Sequence, residues 1–296
     1  MEANTPWQHI VEPEWLAAHL DSPNLVIADC RFALADPSLG RTQYEAGHIP
    51  GAQYFDLDKD LSSPITEHGG RHPLPDPQAL EAKLRKAGIS HDSVVVAYDD
   101  QYSGMAARLW WLLRYYGHEQ VKILNGTFSG WAAAGYPTTK EVRKPPAGSL
   151  QANLQPELLA TVDDVHRNLE THRAVLLDAR EPIRYQGLQE PIDPVAGRIP
   201  DARNAFWRDT SDEQGRWHCR PLAETVADLP KDQPLVVYCG SGVTACPVVL
   251  GLSELGYTQV KLYAGSWSDW ITYPAFPMDT DAEPANPRPE ATAGEN

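Results

Sequence analysis

The sequence predicts an α/β protein made of two tandem domains, each a parallel β-sheet with helices on both faces. Short runs of Val, Ile and Leu alternate with segments of helical pattern. This alternation is typical of parallel strands joined by helices. Similar segments also recur after about 140 to 150 residues, an interval that corresponds to a duplicated domain rather than to a short structural repeat.

The repeat gives the order of the elements. Residues 25–31 return as 174–180, residues 44–52 as 194–202, residues 94–98 as 235–238, and residues 117–131 as 256–270. Helical stretches over 78–87 and 221–228 lie between the strands. In open parallel sheets, ligands bind beyond the carboxyl ends of the strands. We therefore look for functional residues directly after the predicted strands.

The repeat also sets the domain boundaries. We expect an N-terminal domain over residues 8–137, a linker over 138–155, a second domain over 156–278 and a disordered tail over 279–296. The segment 136–149 is polar and interrupted by prolines, as linkers are. The tail consists largely of Pro, Ala, Glu and Asn, a composition that cannot form a packed core.

Composition excludes several classes of protein. The chain of 296 residues contains 42% hydrophobic residues, 9 Trp and 12 Tyr, enough for two cores. Its net charge of −15 argues against nucleic acid or an anionic membrane as partner. No apolar run approaches the roughly 20 residues of a membrane span, and the first residues lack the pattern of a signal peptide. Four irregularly spaced cysteines form neither a disulfide framework nor a metal-binding pair, so we expect a reducing cytoplasm.

The most informative segment is Leu235-Val-Val-Tyr-Cys239-Gly-Ser-Gly-Val-Thr244, followed by an apolar stretch of helical length. It predicts that Cys239 lies after a buried strand, in a short loop, just before a helix. Backbone N–H groups of the loop and the positive end of the helix dipole would then face the sulfur. A cysteine in this position is expected to be a thiolate near neutral pH and to act as a nucleophile.

The residues of this loop limit the chemistry. Phosphatases with a cysteine in a similar loop need an arginine directly after it to clamp the phosphoryl oxygens. That place is occupied by Ala245. The loop itself is small and neutral, with Gly240, Ser241, Gly242, Val243 and Thr244. It suits a compact anion such as a cysteine persulfide better than a phosphate.

The nucleophile is present in one copy of the repeat. Where the second copy has Cys239, the first has Asp99 and Asp100. We expect the first domain to form a wall of the site and to stabilise the second. Cys30 and Cys246 are interpreted as packing residues, and Cys219 has no second ligand pair nearby for a metal.

An Asp-x-Arg motif occurs in both copies, as Asp29 with Arg31 and as Asp178 with Arg180. Because the copy without a cysteine retains it, we interpret the motif as a structural ion pair or turn anchor.

These residues resemble those of rhodanese domains, and the chain resembles tandem-domain sulfurtransferases of the thiosulfate/3-mercaptopyruvate type. The resemblance covers about residues 8 to 278 and rests on the two Asp-x-Arg motifs, 47–51, 124–126, Trp131, 239–245 and 265–270. In this family the loop Cys-Gly-Ser-Gly-Val-Thr marks 3-mercaptopyruvate sulfurtransferases. Members that prefer thiosulfate typically have Arg-Lys in place of Gly-Ser.

The resemblance implies roles for further residues. Arg184 matches the arginine that binds the substrate carboxylate and carbonyl, and Ser241 matches the serine that hydrogen-bonds at the reacting sulfur. From the first domain, Asp58 and His72 match residues that face the active loop across the domain interface. The donor site would be completed by Gly240, Gly242, Val243 and Thr244.

One departure concerns the donor. Mercaptopyruvate enzymes of this type usually have a second arginine in a Glu-Pro-Arg context, but this chain reads Glu190-Pro-Ile192-Asp193. The next arginine, Arg198, stands where the family often has His. Because one cation is missing, we expect kcat/KM for mercaptopyruvate to exceed kcat/KM for thiosulfate by a smaller margin.

The expected reaction is a double displacement. The Cys239 thiolate takes sulfur from mercaptopyruvate as a persulfide and passes it to cyanide, a small thiol or a reduced thioredoxin, with no metal or organic cofactor. The alternatives are a thiosulfate:cyanide sulfurtransferase, a non-catalytic rhodanese-like interaction module, and a cysteine phosphatase or arsenate reductase. The retained Cys239 disfavours the module, and the missing arginine after the loop disfavours the last class.

Overall fold

The computed structural model describes residues 6–282, which contain two parallel β-sheets, as the sequence predicts. The first has the order β1-β5-β4-β2-β3, with β1 (Ile10–Val11), β2 (Leu25–Asp29), β3 (Gln53–Tyr54), β4 (Val94–Tyr98) and β5 (Val121–Leu124). The second has the order β7-β6-β8-β9, with β6 (Val175–Asp178), β7 (Arg203–Asn204), β8 (Leu235–Tyr238) and β9 (Val260–Leu262). Equivalent strands occupy equivalent places, so the sheets repeat one topology.

The helices follow the strands in both copies. In the first they are α1 (Pro13–His19), α2 (Leu39–Ala46), α3 (Pro77–Lys86), α4 (Gly104–Tyr115) and α5 (Phe128–Ala133). In the second they are α6 (Val162–Thr171), α7 (Pro182–Tyr185), α8 (Arg220–Thr225), α9 (Cys246–Glu254) and α10 (Ser266–Trp270). Short 3-10 helices cover Pro156–Leu158 and Trp207–Thr210. No helix of the described range is long and apolar enough to span a membrane.

Local sequence explains where these helices begin. Asp76 accepts a hydrogen bond from the Ala79 N–H, and Pro77 occupies the first position of α3, where its missing N–H costs nothing. At the start of α6, Thr161 and Asp164 form a capping box in which each side chain accepts from the other's backbone N–H.

One hydrophobic core runs through both domains, and each domain has a smaller core of its own. Residues 106–113 of α4 are buried, as are residues 246–252 of α9, and these two helices pack against each other. They follow the equivalent strands β4 and β8. Burial on all sides explains why both helical segments lack the polar face of a surface helix. The interface therefore brings together the loops that follow β4 and β8.

The Asp-x-Arg motif forms the same buried ion pair in each copy. Each arginine bridges the aspartate at the end of its strand and a glycine carbonyl: Arg31 binds Asp29 (2.5 Å) and Gly47 O (2.7 Å), and Arg180 binds Asp178 (2.6 Å) and Gly197 O (2.6 Å). This geometry supports the structural interpretation.

The connecting segments lie against the domains. In the linker, Leu150 is fully buried and its N–H donates to Ile89 O. Residues 279–282, the start of the predicted disordered tail, differ from that expectation. The backbone of Asp279 pairs with that of Arg198, and the Asp281 carboxylate accepts from Arg198 at 2.8 Å. The remainder of the tail, 283–296, lies outside the described residues.

Candidate active site

Cys239 lies directly after β8 and is only 1% exposed. The Gly242 N–H donates to its sulfur at 3.2 Å. Gly242 has a φ of 75°, and a Cβ at this position would lie 2.1 Å from Ala264 O. Only glycine allows this turn and this close approach. The loop after Cys239 therefore depends on Gly242 both for its fold and for its contact with the sulfur.

Helix α10 holds the loop through two backbone hydrogen bonds. The N–H of Trp267 donates to Cys239 O at 3.0 Å, and the N–H of Ser268 donates to Gly240 O at 2.9 Å. Because the peptide unit is planar and trans, each N–H points away from the carbonyl that precedes it. The N–H groups of Gly240 and Ser241 therefore point away from α10.

The first domain shows how the equivalent loop binds an anion. Asp99 stands in the place of Cys239 and is 1% exposed. One carboxylate oxygen accepts from the N–H groups of Gln101 and Ser103, and the other from those of Met105 and Ala106, at 2.8 to 3.0 Å. Four backbone donors thus surround a negative group at the end of the side chain. A persulfide on Cys239 would place its negative charge in the corresponding position.

The other three cysteines have different surroundings. Burial raises the pKa of the Cys219 and Cys246 thiols to about 12. Burial raises the pKa of the Cys30 thiol well above its usual value, and Asp29 adds to this effect. All three are therefore held as neutral thiols near pH 7, in agreement with a packing role. No group of three or more His, Cys, Asp or Glu within 6–282 is placed to hold a metal.

A segment of the first domain docks beside the active loop. Gly70, at a φ of 78°, approaches so closely that a Cβ there would lie 2.4 Å from Gly265 O. The Gly69 N–H donates to Asp269 at 2.7 Å, and the Arg71 N–H donates to Ser268 Oγ at 3.0 Å. These contacts fix the two residues that follow Gly70 at the edge of the site.

One of them, His72, contacts the loop serine. Its Nδ1 lies 2.8 Å from Ser241 Oγ, and its Nε2 lies 3.4 Å from the Asp58 carboxylate. Burial, together with the cations Arg108 and Arg71, lowers the pKa of His72 to about 4. The imidazole is therefore neutral near pH 7 and can accept a proton from Ser241 at Nδ1. Burial raises the pKa of Asp58, and the nearby carboxylate of Asp56 adds to this effect.

Arg108 brings a buried cation under the loop from α4. It is fully buried and donates to three carbonyls, those of Gly242 (3.0 Å), His72 (3.2 Å) and Leu61 (3.4 Å). Burial lowers the pKa of Arg108, and the nearby sulfurs of Cys246 and Cys239 oppose that shift. Our sequence reasoning missed this residue. The available signal was an arginine between Ala107 and Leu109, inside an apolar helical stretch.

Arg184 lies at the cavity wall, where two acidic side chains hold it. Its Nε and Nη2 contact Glu190 at 2.8 to 3.0 Å, and Nη2 contacts Asp193 at 3.2 Å. Arg198 does not reach this cavity; it binds Asp281 and packs on the ring of Tyr185. Arg71 does line the cavity, although our sequence reasoning passed over it. Its position next to His72 was the signal that could have identified it.

These side chains surround a cavity of about 460 Å³ between the domains. The first domain contributes Phe32, Ala33, Leu34, Leu57, Arg71, His72, Asp100, Gln101, Tyr102 and Met105. The second contributes Arg184, Ile192, Trp207, Arg208, Gly240, Ser241, Val243 and Thr244. Six of the residues proposed from sequence belong to this lining: His72, Arg184, Gly240, Ser241, Val243 and Thr244. Cys239 is buried outside the lining, Gly242 contacts its sulfur, and Asp58 lies behind His72.

The chain is similar to several known proteins over most of its length. The model of the rhodanese-like domain matches residues 12–134 and 161–273. A probable 3-mercaptopyruvate sulfurtransferase of Pseudomonas aeruginosa is 43% identical over 92% of this chain and 98% of its own length. The thiosulfate sulfurtransferase of Rattus norvegicus is 34% identical over 90% and 92%. The solved 3-mercaptopyruvate sulfurtransferase of Escherichia coli superposes with a TM-score of 0.76 at 33% identity, covering 89% of this chain and 100% of that one.

Proposed function

This chain belongs to the rhodanese family, and from that premise we propose that it is a sulfurtransferase that takes sulfur from 3-mercaptopyruvate and holds it as a persulfide on Cys239. One observation carries the proposal. The residues that follow the nucleophile in its loop, Gly240 and Ser241, are neutral, while Arg184 offers a cation at the wall of the same cavity. The Pseudomonas aeruginosa relative with 43% identity bears the name of this activity.

In the first half-reaction, the Cys239 thiolate attacks the sulfur of the donor thiol. An S–S bond forms, and the bond between sulfur and the methylene carbon breaks. Its electron pair remains on carbon as the enolate of pyruvate. The proton of the donor thiol is transferred to this carbon, so that pyruvate leaves and a persulfide anion remains on Cys239. N–H groups of the loop 240–244 stabilise that anion, as four N–H groups do for Asp99 in the first domain.

We assign the proton transfer to Ser241 and His72. The Ser241 hydroxyl donates to the neutral imidazole over 2.8 Å, so this pair can receive the thiol proton and return it to the enolate. Asp58, behind Nε2, orients the ring and favours the tautomer with a proton on that nitrogen. Arg184 binds the donor's carboxylate through charge-assisted hydrogen bonds.

In the second half-reaction, an acceptor attacks the outer sulfur and releases the Cys239 thiolate. Cyanide, a small thiol or a reduced thioredoxin fits this step, because each is a nucleophile toward sulfane sulfur. We place the reaction in the cytoplasm. The support is that all four cysteines are free thiols and that a nucleophilic thiol needs a reducing compartment.

The second candidate donor is thiosulfate. The absence of a second arginine favours thiosulfate as donor. Ile192 stands in the segment where mercaptopyruvate enzymes of this type have that arginine. The thiosulfate sulfurtransferase of Rattus norvegicus is 34% identical to this chain, and the 3-mercaptopyruvate sulfurtransferase of Escherichia coli is 33% identical.

Steady-state kinetics with cyanide as acceptor tests the donor. We expect a higher kcat/KM for mercaptopyruvate, measured as pyruvate release, than for thiosulfate, measured as thiocyanate formation. Replacing Gly240 and Ser241 by Arg and Lys should move the preference toward thiosulfate, because two cations would then lie beside the sulfur. If the unmodified protein uses thiosulfate equally well or better, the donor assignment is wrong and only the sulfurtransferase class remains.

A further inference from the structure

The helix that carries Arg184 is very short. Helix α7 comprises the four residues Pro182–Tyr185, of which the first two are exposed and the last two are half-buried. A helix of one turn is unstable by itself in water, because the cost of forming that turn is not recovered by further hydrogen bonds. The Tyr185 hydroxyl donates to Ala202 O at 2.7 Å. Further contacts are needed to fix α7 and, with it, the direction of Arg184.

The segment 279–281 supplies such contacts at the C-terminal end of α7. The Asp281 N–H donates to Gln186 O at 2.8 Å, and the Thr280 hydroxyl donates to the same carbonyl at 3.3 Å. Gly187 has a φ of 73°, and a Cβ at this position would clash with Thr280 Oγ1. The segment 279–281 therefore lies directly on the turn that ends α7.

Arg198 joins this segment to α7. Its backbone pairs with that of Asp279 at 2.8 and 3.0 Å, and its Nη2 donates to the Asp281 carboxylate at 2.8 Å. The same guanidinium lies 4.6 Å from the centre of the Tyr185 ring, and its Nη1 donates to Tyr185 O at 3.3 Å. One side chain thus binds the last residue of α7 and the segment 279–281 together.

The first domain shows what is specific to Arg198. His48 occupies the equivalent place, and its backbone pairs with that of Thr139 in the same way. Its ring stacks on Tyr44, with Nδ1 2.7 Å from Tyr44 O and Nε2 3.1 Å from Glu141 O. Both side chains therefore join a tyrosine to the segment that follows the domain. His48 does so through a backbone carbonyl, whereas Arg198 does so through an ion pair.

We infer that Arg198 is a positioning residue for the donor: together with the segment 279–281 it holds α7 so that Arg184 faces the cavity. This inference rests on the proposed function, in which Arg184 binds the donor's carboxylate. Glu190 and Asp193 orient the guanidinium of Arg184, and Arg198 fixes the backbone that carries it. Arg198 therefore acts on the donor through Arg184 and not by contact with it.

The test uses the full chain with Asp281→Asn, which removes the ion pair at a half-exposed side chain and leaves no cavity. We expect KM for mercaptopyruvate and the inhibition constant of pyruvate to rise together, roughly two- to fivefold, with kcat nearly unchanged. Arg198→His, which introduces the first-domain residue, should have the same effect. Alkylation of Cys239 by iodoacetamide, which has no carboxylate, should keep its rate.

The Arg184→Ala background separates positioning from a general structural effect. If Arg198 and Asp281 act through Arg184, Asp281→Asn should cause no further rise in KM in that background. A general structural effect would raise KM by the same factor in both backgrounds. Asp228→Asn is the matched control, because it breaks another ion pair of the second domain, with Arg203 at 2.9 Å. It should leave both constants unchanged.

Unchanged KM and pyruvate inhibition in Asp281→Asn and Arg198→His would overturn the inference, as would an undiminished rise in KM in the Arg184→Ala background. If the unmodified protein releases no pyruvate from mercaptopyruvate, the proposed function itself fails. The behaviour of the unmodified protein therefore distinguishes the two failures.

Discussion

His72 is the residue through which pH acts most directly on the site. Its burial, reinforced by Arg108 and Arg71, lowers its pKa to about 4 instead of the usual value near 6.5. Above about pH 4 the ring is neutral and can accept the Ser241 proton, and below it the ring is protonated and cannot.

We therefore expect the His72 contribution to the pH profile of kcat/KM with mercaptopyruvate to have its inflection near pH 4. His72→Gln should remove this inflection and slow pyruvate release. The unfolded chain binds the histidine proton at about pH 6.5 and the folded chain at about pH 4, so stability falls as the pH drops through this interval. Initial rates taken directly after a pH jump separate the two effects. An inflection near pH 6.5 that disappears in His72→Gln would contradict the proposed environment of this ring.

At the residue scale, sequence reasoning placed Cys239 correctly in the fold, directly after β8 and before α9. Strand, loop and helix follow each other directly around Cys239, so its position could be predicted from neighbouring residues. Arg71 and Arg108 depend instead on how one domain lies on the other. The contacts that place them, with Ser268 and Gly242, span 197 and 134 residues of chain. No local sequence pattern encodes contacts between residues so far apart in the chain.

At the scale of elements, α4 and α9 connect the two domains at the nucleophile. They follow β4 and β8 and pack against each other, so α4 carries Arg108 to the carbonyl of Gly242 in the opposite loop. The inactive copy of the repeat thereby supplies a buried cation that holds the loop of the other copy.

This arrangement predicts the effect of Arg108→Met. The rate of alkylation of Cys239 by iodoacetamide at neutral pH should fall roughly tenfold, because Arg108 holds the carbonyl of Gly242, the residue whose N–H contacts the sulfur. Arg114→Met, on the same helix but packed on the ring of Trp110, is the matched control and should alkylate at the original rate. An unchanged rate in a folded Arg108→Met protein would contradict this contribution.

Helix ends show what local signals can and cannot determine. The stretch predicted over 78–87 is α3, Pro77–Lys86, whose start is defined by Asp76 and Pro77. The stretch predicted over 221–228 gives a shorter helix, α8, which ends at Thr225. Val226, which follows it, is buried and its carbonyl accepts from the Tyr257 hydroxyl. A tertiary contact, absent from any sequence pattern, accompanies the end of this helix.

At the scale of the whole molecule, duplication has produced one site from two domains. The internal repeat was enough to predict the two sheets and their helices, because both copies keep the same strand order. It could not predict that the linker packs on the first domain or that Asp279 and Asp281 bind Arg198. These contacts join segments whose sequences are polar and aperiodic.

The different roles of the two copies follow from the residue at one position, which is Asp99 in the first copy and Cys239 in the second. In the first domain Asp99 supplies its own anion to the loop, and four backbone N–H groups are satisfied within the domain. In the second, we propose that this place is taken by the persulfide anion of Cys239, which is formed and removed in each reaction cycle. The central claim is therefore that a persulfide forms on Cys239 and on no other cysteine.

Intact-mass spectrometry of the full chain after incubation with mercaptopyruvate, without acceptor, tests this claim most directly. The unmodified protein and the variants Cys30→Ala and Cys246→Ala should each gain one sulfur atom, which cyanide then removes. Cys239→Ser should gain none and release no pyruvate. A sulfur adduct with continued pyruvate release in Cys239→Ser, or no adduct on the unmodified protein, would contradict the account.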